Sequence, residues 1–311
     1  MTAPPSSAQV RRSTFFGGAA IILWSTTVAF SRSLTEQLGT LTAAALIYTG
    51  AGLLGLIVIR LQANGWKDLQ HLPKNYLLGC GGLFVAYITT FYLAIGLSAT
   101  REQVLAVGLI NYLWPALSLV LSIPILGRKA RPFLPVGIIL ALLGTWFATT
   151  GGSNIFQPTD SQQAVPPLPY VLALAAAVCW GLYSNLSRRW ASGHDGAGVP
   201  LFLLASGLLL GLLRLGQAET STWTPATVLE LLYMAVFPGM LAYAMWDNAV
   251  RRGRIIFVAS LSYLTPLLST IFSSIVLNVR PDAALWLGSI LVIAGAVICK
   301  YAIDDVEAEI Q

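Results

Sequence analysis

Long, almost unbroken runs of apolar residues alternate with short polar stretches along this chain of 311 residues. Ten of the runs have about 20 residues, the length that a helix needs to cross a hydrocarbon core at 1.5 Å per residue. None alternates with a period of two, as the strands of a membrane barrel would. The pattern therefore predicts an all-α membrane protein with ten transmembrane helices. The predicted spans lie at about 13–31, 40–61, 76–97, 101–125, 133–150, 167–187, 198–215, 226–250, 255–277 and 282–303.

The composition agrees with a membrane protein. Hydrophobic residues make up 56% of the chain and charged residues 10%, a ratio that a soluble protein of this size does not need for its core. The net charge is +5 at pH 7, which in a soluble chain would suggest a nucleic-acid partner. Here the basic residues lie in short loops beside the spans, so they are explained by topology. We expect the lipid bilayer as partner, and no nucleic acid.

The distribution of Lys and Arg predicts the orientation. If the N-terminus is inside, only four of the 18 Lys and Arg residues fall on outside segments, which leaves 14 inside. Cytoplasmic flanks hold most of the positive charge in membrane proteins. We therefore expect both chain ends of a multi-pass membrane protein in the cytoplasm. The four outside residues are Arg32, Arg101, Arg214 and Arg280.

An internal repeat divides the chain. The phrase Tyr-Leu-x-Pro-x-Leu-Ser occurs at 112–118 and again at 263–269, an offset of 151 residues. Near the start of each half the offset is 156 and relates Trp24 to Trp180. Repeated membrane units are typical of transporters whose substrate site lies where the copies meet. Further pairs at the offset of 151 are Tyr92 and Tyr243, Gly137 and Gly288, and Gly144 and Gly295.

The two copies are predicted to be inverted. Each contains five spans, so the second copy enters the membrane from the opposite side. We expect two five-helix repeats, at 13–150 and 167–303, joined by a periplasmic linker at 151–166 that contains no Lys or Arg. Residues 1–12 and 304–311 are then cytoplasmic tails.

Residues for enzymatic chemistry are scarce. The two histidines, His71 and His194, fall in predicted cytoplasmic loops, and no paired carboxylates or phosphate-binding loop occur in the sequence. The cysteines lie within spans without metal-ligand spacing. We therefore expect no enzyme activity, no metal and no cofactor. The cysteines are Cys80, Cys179 and Cys299.

Aromatic and amide side chains near the middle of the spans are the candidate binding residues. A cavity lined by such groups, with few fixed charges, suits a neutral or zwitterionic amphiphile. A polyanion such as a sugar phosphate would call for Lys or Arg. The predicted substrate-binding residues are Trp24, Tyr87, Asn111, Tyr112, Trp114, Trp180, Tyr183, Asn185, Tyr243 and Tyr263.

Prolines within spans predict helix breaks. Pro115 and Pro266 occupy corresponding positions in spans four and nine, and Pro238 precedes Gly239 in span eight. Carbonyl groups freed by such breaks must face protein or a water-filled cavity. Asp247, one turn before Arg251, is explained most simply by an ion pair at the membrane interface, and is otherwise a candidate gate or coupling residue. The predicted hinge or gate residues are Pro115, Pro238, Gly239, Pro266 and Asp247.

These features together resemble the drug/metabolite transporter superfamily, specifically its ten-helix EamA-type exporters. The resemblance rests on the two five-span copies, the tryptophan in span one of each half, the Tyr-Leu-x-Pro pair and the Gly-x6-Gly of spans five and ten. The passage from Asn111 through Tyr112, Trp114 and Pro115 is most similar to the aromatic amino acid exporter branch. The resemblance implies that spans one, three, four, six, eight and nine surround a central cavity, and that the halves rock between inward-open and outward-open states.

The expected function is a secondary transporter that exports neutral amino acids, aromatic and large apolar ones, from cytoplasm to periplasm by alternating access. The direction of export and the location in the bacterial inner membrane are implied by the resemblance alone. An alternative with the same fold is an exporter of hydrophobic cations or drugs, with Asp247 as the counter-charge. A membrane channel or scaffold is a third alternative, which the inverted repeat disfavours.

Overall fold

The computed structural model is almost entirely helical in the part of the chain that it describes. Within that part, seven helices are long and apolar enough to cross a membrane, and three more are apolar but shorter. Only an isolated bridge between Ala130 and Ile303 has β-geometry there. The predicted all-α membrane fold is confirmed. The described residues are 7–62, 65–150, 166–190, 198–252 and 261–303, without the side chains of Asp68, Asp247, Val250, Arg251 and Arg252.

The first half of the chain forms five spans, of which the first and the fourth are each built from two helices. A π-helical segment, Tyr76–Cys80, leads into the third span. The helices are α1 (Ser7–Ser25), α2 (Thr27–Leu38), α3 (Thr40–Leu61), the short α4 (Gly65–Gln70), α5 (Gly81–Gly96), α6 (Arg101–Asn111), α7 (Trp114–Leu126) and α8 (Leu134–Thr150).

The second half also forms five spans. Its eighth span contains a π-helical segment, Ala235–Leu241, between two α-helices. The helices are α9 (Leu168–Trp190), α10 (Val199–Arg214), α11 (Pro225–Met234), α12 (Ala242–Arg252), α13 (Thr265–Val276) and α14 (Ala283–Tyr301).

The first span is longer than the sequence pattern predicts. The apolar run ends near residue 31, but α2 continues to Leu38 and stops before Gly39, whose φ of +89° suits glycine. The polar residues of this last part are accommodated because they bond to neighbouring groups. Arg32, for example, donates to the carbonyl oxygens of Ile95, in the last turn of α5, and of Ser98, just after it.

The helix breaks of spans four and nine fall at equivalent positions. Residues 112–113 separate α6 from α7, and residues 263–264 precede α13, again 151 residues apart. Pro115 and Pro266 are the second residues of the helices that follow. Proline is tolerated in the first helical turn because its missing N–H would have no partner there.

The two halves pack in a symmetric manner. Across the boundary between them, α8 pairs with α14 and α3 pairs with α10. The contact of α5 with α9 (spans three and six) is matched by that of α12 with α1 (spans eight and one). The contact of α7 with α9 (four and six) is matched by that of α13 with α1 (nine and one). Exchanging the halves thus preserves the set of neighbours, as expected for inverted repeats.

Candidate functional site

A cavity lies between the two halves of the protein. It contains about 740 Å³ of space unoccupied by protein atoms, counting the part open to solvent. Helices from both repeats contribute to its wall. The lining residues are Ile21, Trp24, Thr27, Ile47, Tyr48, Tyr87, Phe91, Asn111, Tyr112, Trp114, Trp180, Met234, Pro238, Gly239, Tyr243, Ser262 and Thr265.

Two tryptophan–tyrosine pairs, one from each repeat-related tryptophan, dominate the wall. The rings of Trp24 and Tyr243 have centroids 5.1 Å apart, and those of Trp180 and Tyr87 have centroids 4.8 Å apart. The same offset of 156 residues relates Trp24 to Trp180 and Tyr87 to Tyr243. Tyr243 thus takes the place in its half that Tyr87 takes in the other, whereas Tyr92, its partner at the offset of 151, is fully buried and does not line the cavity.

The indole of Trp24 is held by the break in span eight. Its Nε1 donates to the carbonyl oxygen of Pro238 at 3.2 Å, within the π-helical segment. The proline explains why that span is not a regular α-helix, since its ring removes a backbone donor. Gly239 allows the segment to lie against α3, because a Cβ there would approach the Cβ of Ala51 to 3.0 Å. This arrangement fixes the ring plane of one wall residue.

The break in span four also contributes to the wall. Asn111, the last residue of α6, and Tyr112 and Trp114, which follow it, all line the cavity. Across the repeat, Ser262 and Thr265 line it from either side of the equivalent break. Helix breaks thus bring polar groups and rings to the same space, as the proline pattern predicts.

The cavity is uncharged in its described lining. None of the lining residues is Asp, Glu, Lys, Arg or His, and most of the wall consists of aromatic and aliphatic groups. Elsewhere in the described ranges, no group of three or more His, Cys, Asp or Glu residues is arranged to hold a metal ion. The chemistry available in the cavity is therefore ring stacking, apolar contact and hydrogen bonding.

Seven of the ten predicted binding residues line the cavity and three do not. Tyr183 is buried behind Trp180, with ring centroids 5.2 Å apart. The amide of Asn185 donates at 2.8 Å to the carbonyl oxygens of Ser118 and Gly181, so it joins α9 to α7. Asn185 therefore has a structural contact where the sequence suggests a substrate contact.

Tyr263 lies in a smaller cleft beside the main cavity. Pro115 and Pro266, at the breaks of spans four and nine, also line this cleft. They do not line the main cavity. Among the predicted hinge or gate residues whose side chains the structure describes, Pro238 and Gly239 belong to the main lining and Pro115 and Pro266 do not. Asp247 is on α12, and its side chain lies outside the described residues.

Several lining residues were missed by the sequence analysis. Ile47 and Tyr48 come from α3, the second span, which the resemblance does not include among the helices around the cavity. Their signal is absent because an Ile-Tyr pair in an apolar helix has no special pattern. Thr27 follows Trp24 by three residues, a spacing that places two residues on the same face of a helix. This spacing could have marked it as a candidate lining residue.

The sequence model of the EamA-like transporter family matches residues 12–150 and 167–300 of this chain. These two matches cover both five-span halves. The chain belongs to the EamA-like transporter family. The match confirms the predicted fold class, two repeats of membrane helices. The members of this family are transporters.

Known EamA-like relatives are similar over almost their entire length. The chain is 32% identical to the aromatic amino acid exporter YddG of Salmonella typhimurium over 294 residues, covering 94% of this chain and 98% of the relative. It is also 32% identical to the YddG protein of Escherichia coli strain K12 over 293 residues, with the same coverage. A solved crystal structure with 27% identity superposes with a TM-score of 0.67 over 94% of this chain and 98% of the other.

Proposed function

We propose that this EamA-like transporter exports neutral amino acids with aromatic or large apolar side chains from the cytoplasm to the periplasm. The observation that carries the proposal is the ring-lined cavity between the two repeats, whose described lining is uncharged. Relatives that match nearly the whole chain are named aromatic amino acid exporters, which supports the same cargo here. An aromatic side chain gains about 0.5–1.5 kcal/mol per ring pair beyond the burial of its apolar area.

Transport would proceed by alternating access without a bound cofactor. The inverted repeats supply two similar halves that can rock about the cavity, so that it opens to one side of the membrane at a time. In this proposal Trp24, Tyr243, Trp180 and Tyr87 form the walls that hold the apolar side chain of the substrate. Pro238 and Gly239, in the irregular part of span eight, provide a place for the helix to bend.

The proposed orientation places both chain ends on the cytoplasmic side of the inner membrane. It is supported by the excess of Lys and Arg on one set of loops. In this orientation the loop between α10 and α11, which contains Glu219, faces the periplasm. Impermeant labelling of single cysteines at either terminus in intact cells should fail, whereas labelling in the loop at 215–224 should succeed.

The first experiment is uptake by proteoliposomes that contain the purified protein. We expect saturable uptake of labelled phenylalanine and methionine, and little uptake of lysine or of a quaternary amine. The assay is run with and without a proton gradient to learn whether transport is coupled. Uptake of the quaternary amine alone would reject the amino acid proposal in favour of the hydrophobic-cation alternative. Uptake that rises linearly with substrate would indicate a channel.

Truncation of the walls tests the cavity itself. Trp24→Ala, Trp180→Ala and Tyr87→Ala should each lower phenylalanine uptake by tenfold or more while the protein stays folded, because each removes a large ring from the lining. Tyr183→Phe is the control, since Tyr183 does not line the cavity and the substitution keeps an aromatic ring at that position. Normal uptake by all three alanine variants would show that the cavity is not the transport route.

A further inference from the structure

Asn111 presents an unused hydrogen-bond acceptor to the cavity. The residue is only 4% exposed, lines the cavity and ends α6 at the break in span four. Its Oδ1 is buried and has no hydrogen-bond partner in the described part of the chain. A buried amide oxygen without a partner is costly, by about 1–3 kcal/mol. The acceptor is therefore a feature that a bound donor can satisfy.

Thr27 presents a second polar atom of the same kind. Its Oγ1 is buried and lacks a partner among the described residues, and the residue lines the same cavity. A helical threonine commonly donates to the carbonyl oxygen four residues earlier, which here is that of Leu23. That oxygen already accepts from the amide and the hydroxyl of Thr26, at the junction of α1 and α2. The break in span one thus leaves the Thr27 hydroxyl available.

The surroundings of these two atoms favour a positively charged donor. The described lining contains no cation that could pair with a carboxylate, whereas the faces of its tryptophan and tyrosine rings attract cations. An ammonium group has three N–H donors and no acceptor, so it matches an amide oxygen and a hydroxyl oxygen. A carboxylate has only acceptors and would face the Asn111 oxygen unfavourably.

We propose that Asn111 Oδ1 and Thr27 Oγ1 bind the ammonium group of the substrate, and that the substrate carboxylate contributes little to recognition. The inference rests on the proposed function and deepens it, because it defines the cargo as a primary amine joined to an apolar body. It predicts that an aromatic amine without a carboxylate binds about as well as the amino acid.

The test is competition against labelled phenylalanine in proteoliposomes. Phenylalanine amide and 2-phenylethylamine keep the ammonium group and lack the carboxylate, and we expect them to inhibit within about threefold of phenylalanine. N-acetylphenylalanine and 3-phenylpropanoate lack the ammonium group and should inhibit at least about tenfold less well, since they leave the acceptor unpaired. Equal inhibition by the two classes would overturn the proposed subsite.

Variants locate the effect at the two atoms. Asn111→Ala and the isosteric Thr27→Val should each weaken inhibition by 2-phenylethylamine about tenfold and leave the weak inhibition by 3-phenylpropanoate unchanged. Asn111→Asp should strengthen the preference for the amine, because a carboxylate replaces the amide. Thr145→Val is the control: its hydroxyl is on the exposed surface of α8 and bonds within its own helix. Unchanged amine preference in Asn111→Asp and Thr27→Val would contradict the assignment.

Binding measured without transport separates this inference from the proposed function. Stabilisation of the purified protein against heat is recorded with 2-phenylethylamine and with 3-phenylpropanoate. Stabilisation by the amine alone supports the subsite, even if phenylalanine is not taken up and the proposed function fails. If phenylalanine is taken up but both probes stabilise equally, the proposed function stands and the subsite is rejected.

Discussion

Gly137 of α8 packs directly against Gly295 of α14. A Cβ atom on Gly137 would lie 2.8 Å from the carbonyl oxygen of Gly295, and a Cβ atom on Gly295 would lie 2.5 Å from that of Gly137. Gly144 and Gly288 meet in the same way, at 2.6 and 2.5 Å. Because 151 residues separate Gly137 from Gly288 and Gly144 from Gly295, exchanging the halves converts one contact into the other. A twofold relation between inverted repeats requires this reciprocity.

Alanine at these glycines should destabilise the protein. Gly137→Ala or Gly295→Ala places a methyl group against the backbone of the facing helix, which cannot move aside as a side chain can. Overpacking of this kind costs about 1–3 kcal/mol. We expect a lower melting temperature for the purified protein in detergent, measured by loss of monodisperse protein after heating.

Gly82→Ala is the matched control for the packing prediction. A Cβ at Gly82 of α5 would meet nothing within 4 Å, and alanine favours a helix over glycine by about 0.5–1 kcal/mol. Its melting temperature should therefore be equal to or above that of the unmodified protein. The close-packing interpretation is untenable if Gly82→Ala and Gly295→Ala melt alike.

Removing one hydrogen bond should weaken the cavity wall. Trp24→Phe keeps an aromatic ring but loses the Nε1 donor to the carbonyl oxygen of Pro238. A hydrogen bond of this type contributes about 0.5–1.5 kcal/mol. We expect the KM for phenylalanine uptake to rise about threefold to tenfold, because the ring and the bend in span eight are no longer fixed to each other.

Trp146→Phe is the corresponding control. Trp146 is on α8 and does not line the cavity, and its buried Nε1 has no hydrogen-bond partner in the described structure. Loss of that donor should leave uptake unchanged and stability equal or higher, because an unpaired buried group is removed. An equal rise of KM in both variants would mean that general loss of packing, and not the bond to Pro238, is responsible.

The fold could be predicted from the sequence because its signals are long and redundant. Ten apolar runs and the repeated Tyr-Leu-x-Pro phrase each depend on many residues, so a single error does not change the result. The predicted end of the first span, near residue 31, was too early, because the polar Arg32 is part of the helix that continues to Leu38. Its charge is accommodated by the carbonyl oxygens of Ile95 and Ser98, at and just after the end of α5, which hydropathy alone does not register.

The site was less predictable because a binding wall depends on which way each side chain faces. Asn111 and Asn185 are the same residue type at similar depth, but one lines the cavity and the other bonds to the backbone of a neighbouring helix. Tyr48 lines the cavity and the repeat gives no hint of it. Such distinctions depend on helix rotation, which the apolar pattern of these spans leaves undetermined.

Arg101 connects the two repeats on the side that we assign to the periplasm. Its guanidinium donates to both carboxylate oxygens of Glu36 in the first repeat, at 3.1 and 2.6 Å, and to the carbonyl oxygen of Leu277 in the second, at 2.7 Å. An outward opening that separates these elements must break the contact with Leu277. Arg101→Gln should therefore favour opening on this side.

Labelling of a cavity cysteine measures that opening. Phe91 lines the cavity near the outer end of α5, so Phe91→Cys, in a background with the three native cysteines replaced, reports access from outside. We expect an impermeant maleimide to react about threefold to tenfold faster when Arg101→Gln is added, since the one hydrogen bond that it loses between the repeats contributes about 0.5–1.5 kcal/mol.

Arg32→Gln distinguishes a connection between repeats from a general loss of charge. Arg32 bonds to the same Glu36 at 2.7 Å, but its other partners, Ile95 and Ser98, belong to the first repeat. Its loss should lower stability without changing the labelling rate. Faster labelling in both variants would contradict a specific role for the bond between Arg101 and Leu277.

Glu219 caps the start of α3 from a distant loop. Its carboxylate accepts from the amides of Leu41 and Thr42 at 2.8 and 2.9 Å, and lies 3.2 Å from Nε of Arg214. Burial alone would raise the pKa of this carboxyl, but the hydrogen bonds at the helix start and the charge of Arg214 outweigh it and lower the pKa below its usual 4.5. A negative charge at a helix N-terminus stabilises it by about 0.3–1 kcal/mol.

The contribution of Glu219 should depend on pH with a definite sign. Because its pKa is lower in the folded protein, the stabilisation is fully present above about pH 4.5 and is lost as the pH falls through the folded value. Glu219→Gln should thus melt a few degrees below the unmodified protein at pH 7, and the gap should narrow below pH 4.5. Glu102→Gln, which removes an exposed carboxylate from the first turn of α6, should lower the melting temperature less, because water screens an exposed charge. A difference for Glu219→Gln that stays constant down to pH 3.5 would show that the shape of the side chain, and not its charge, joins the loop to α3.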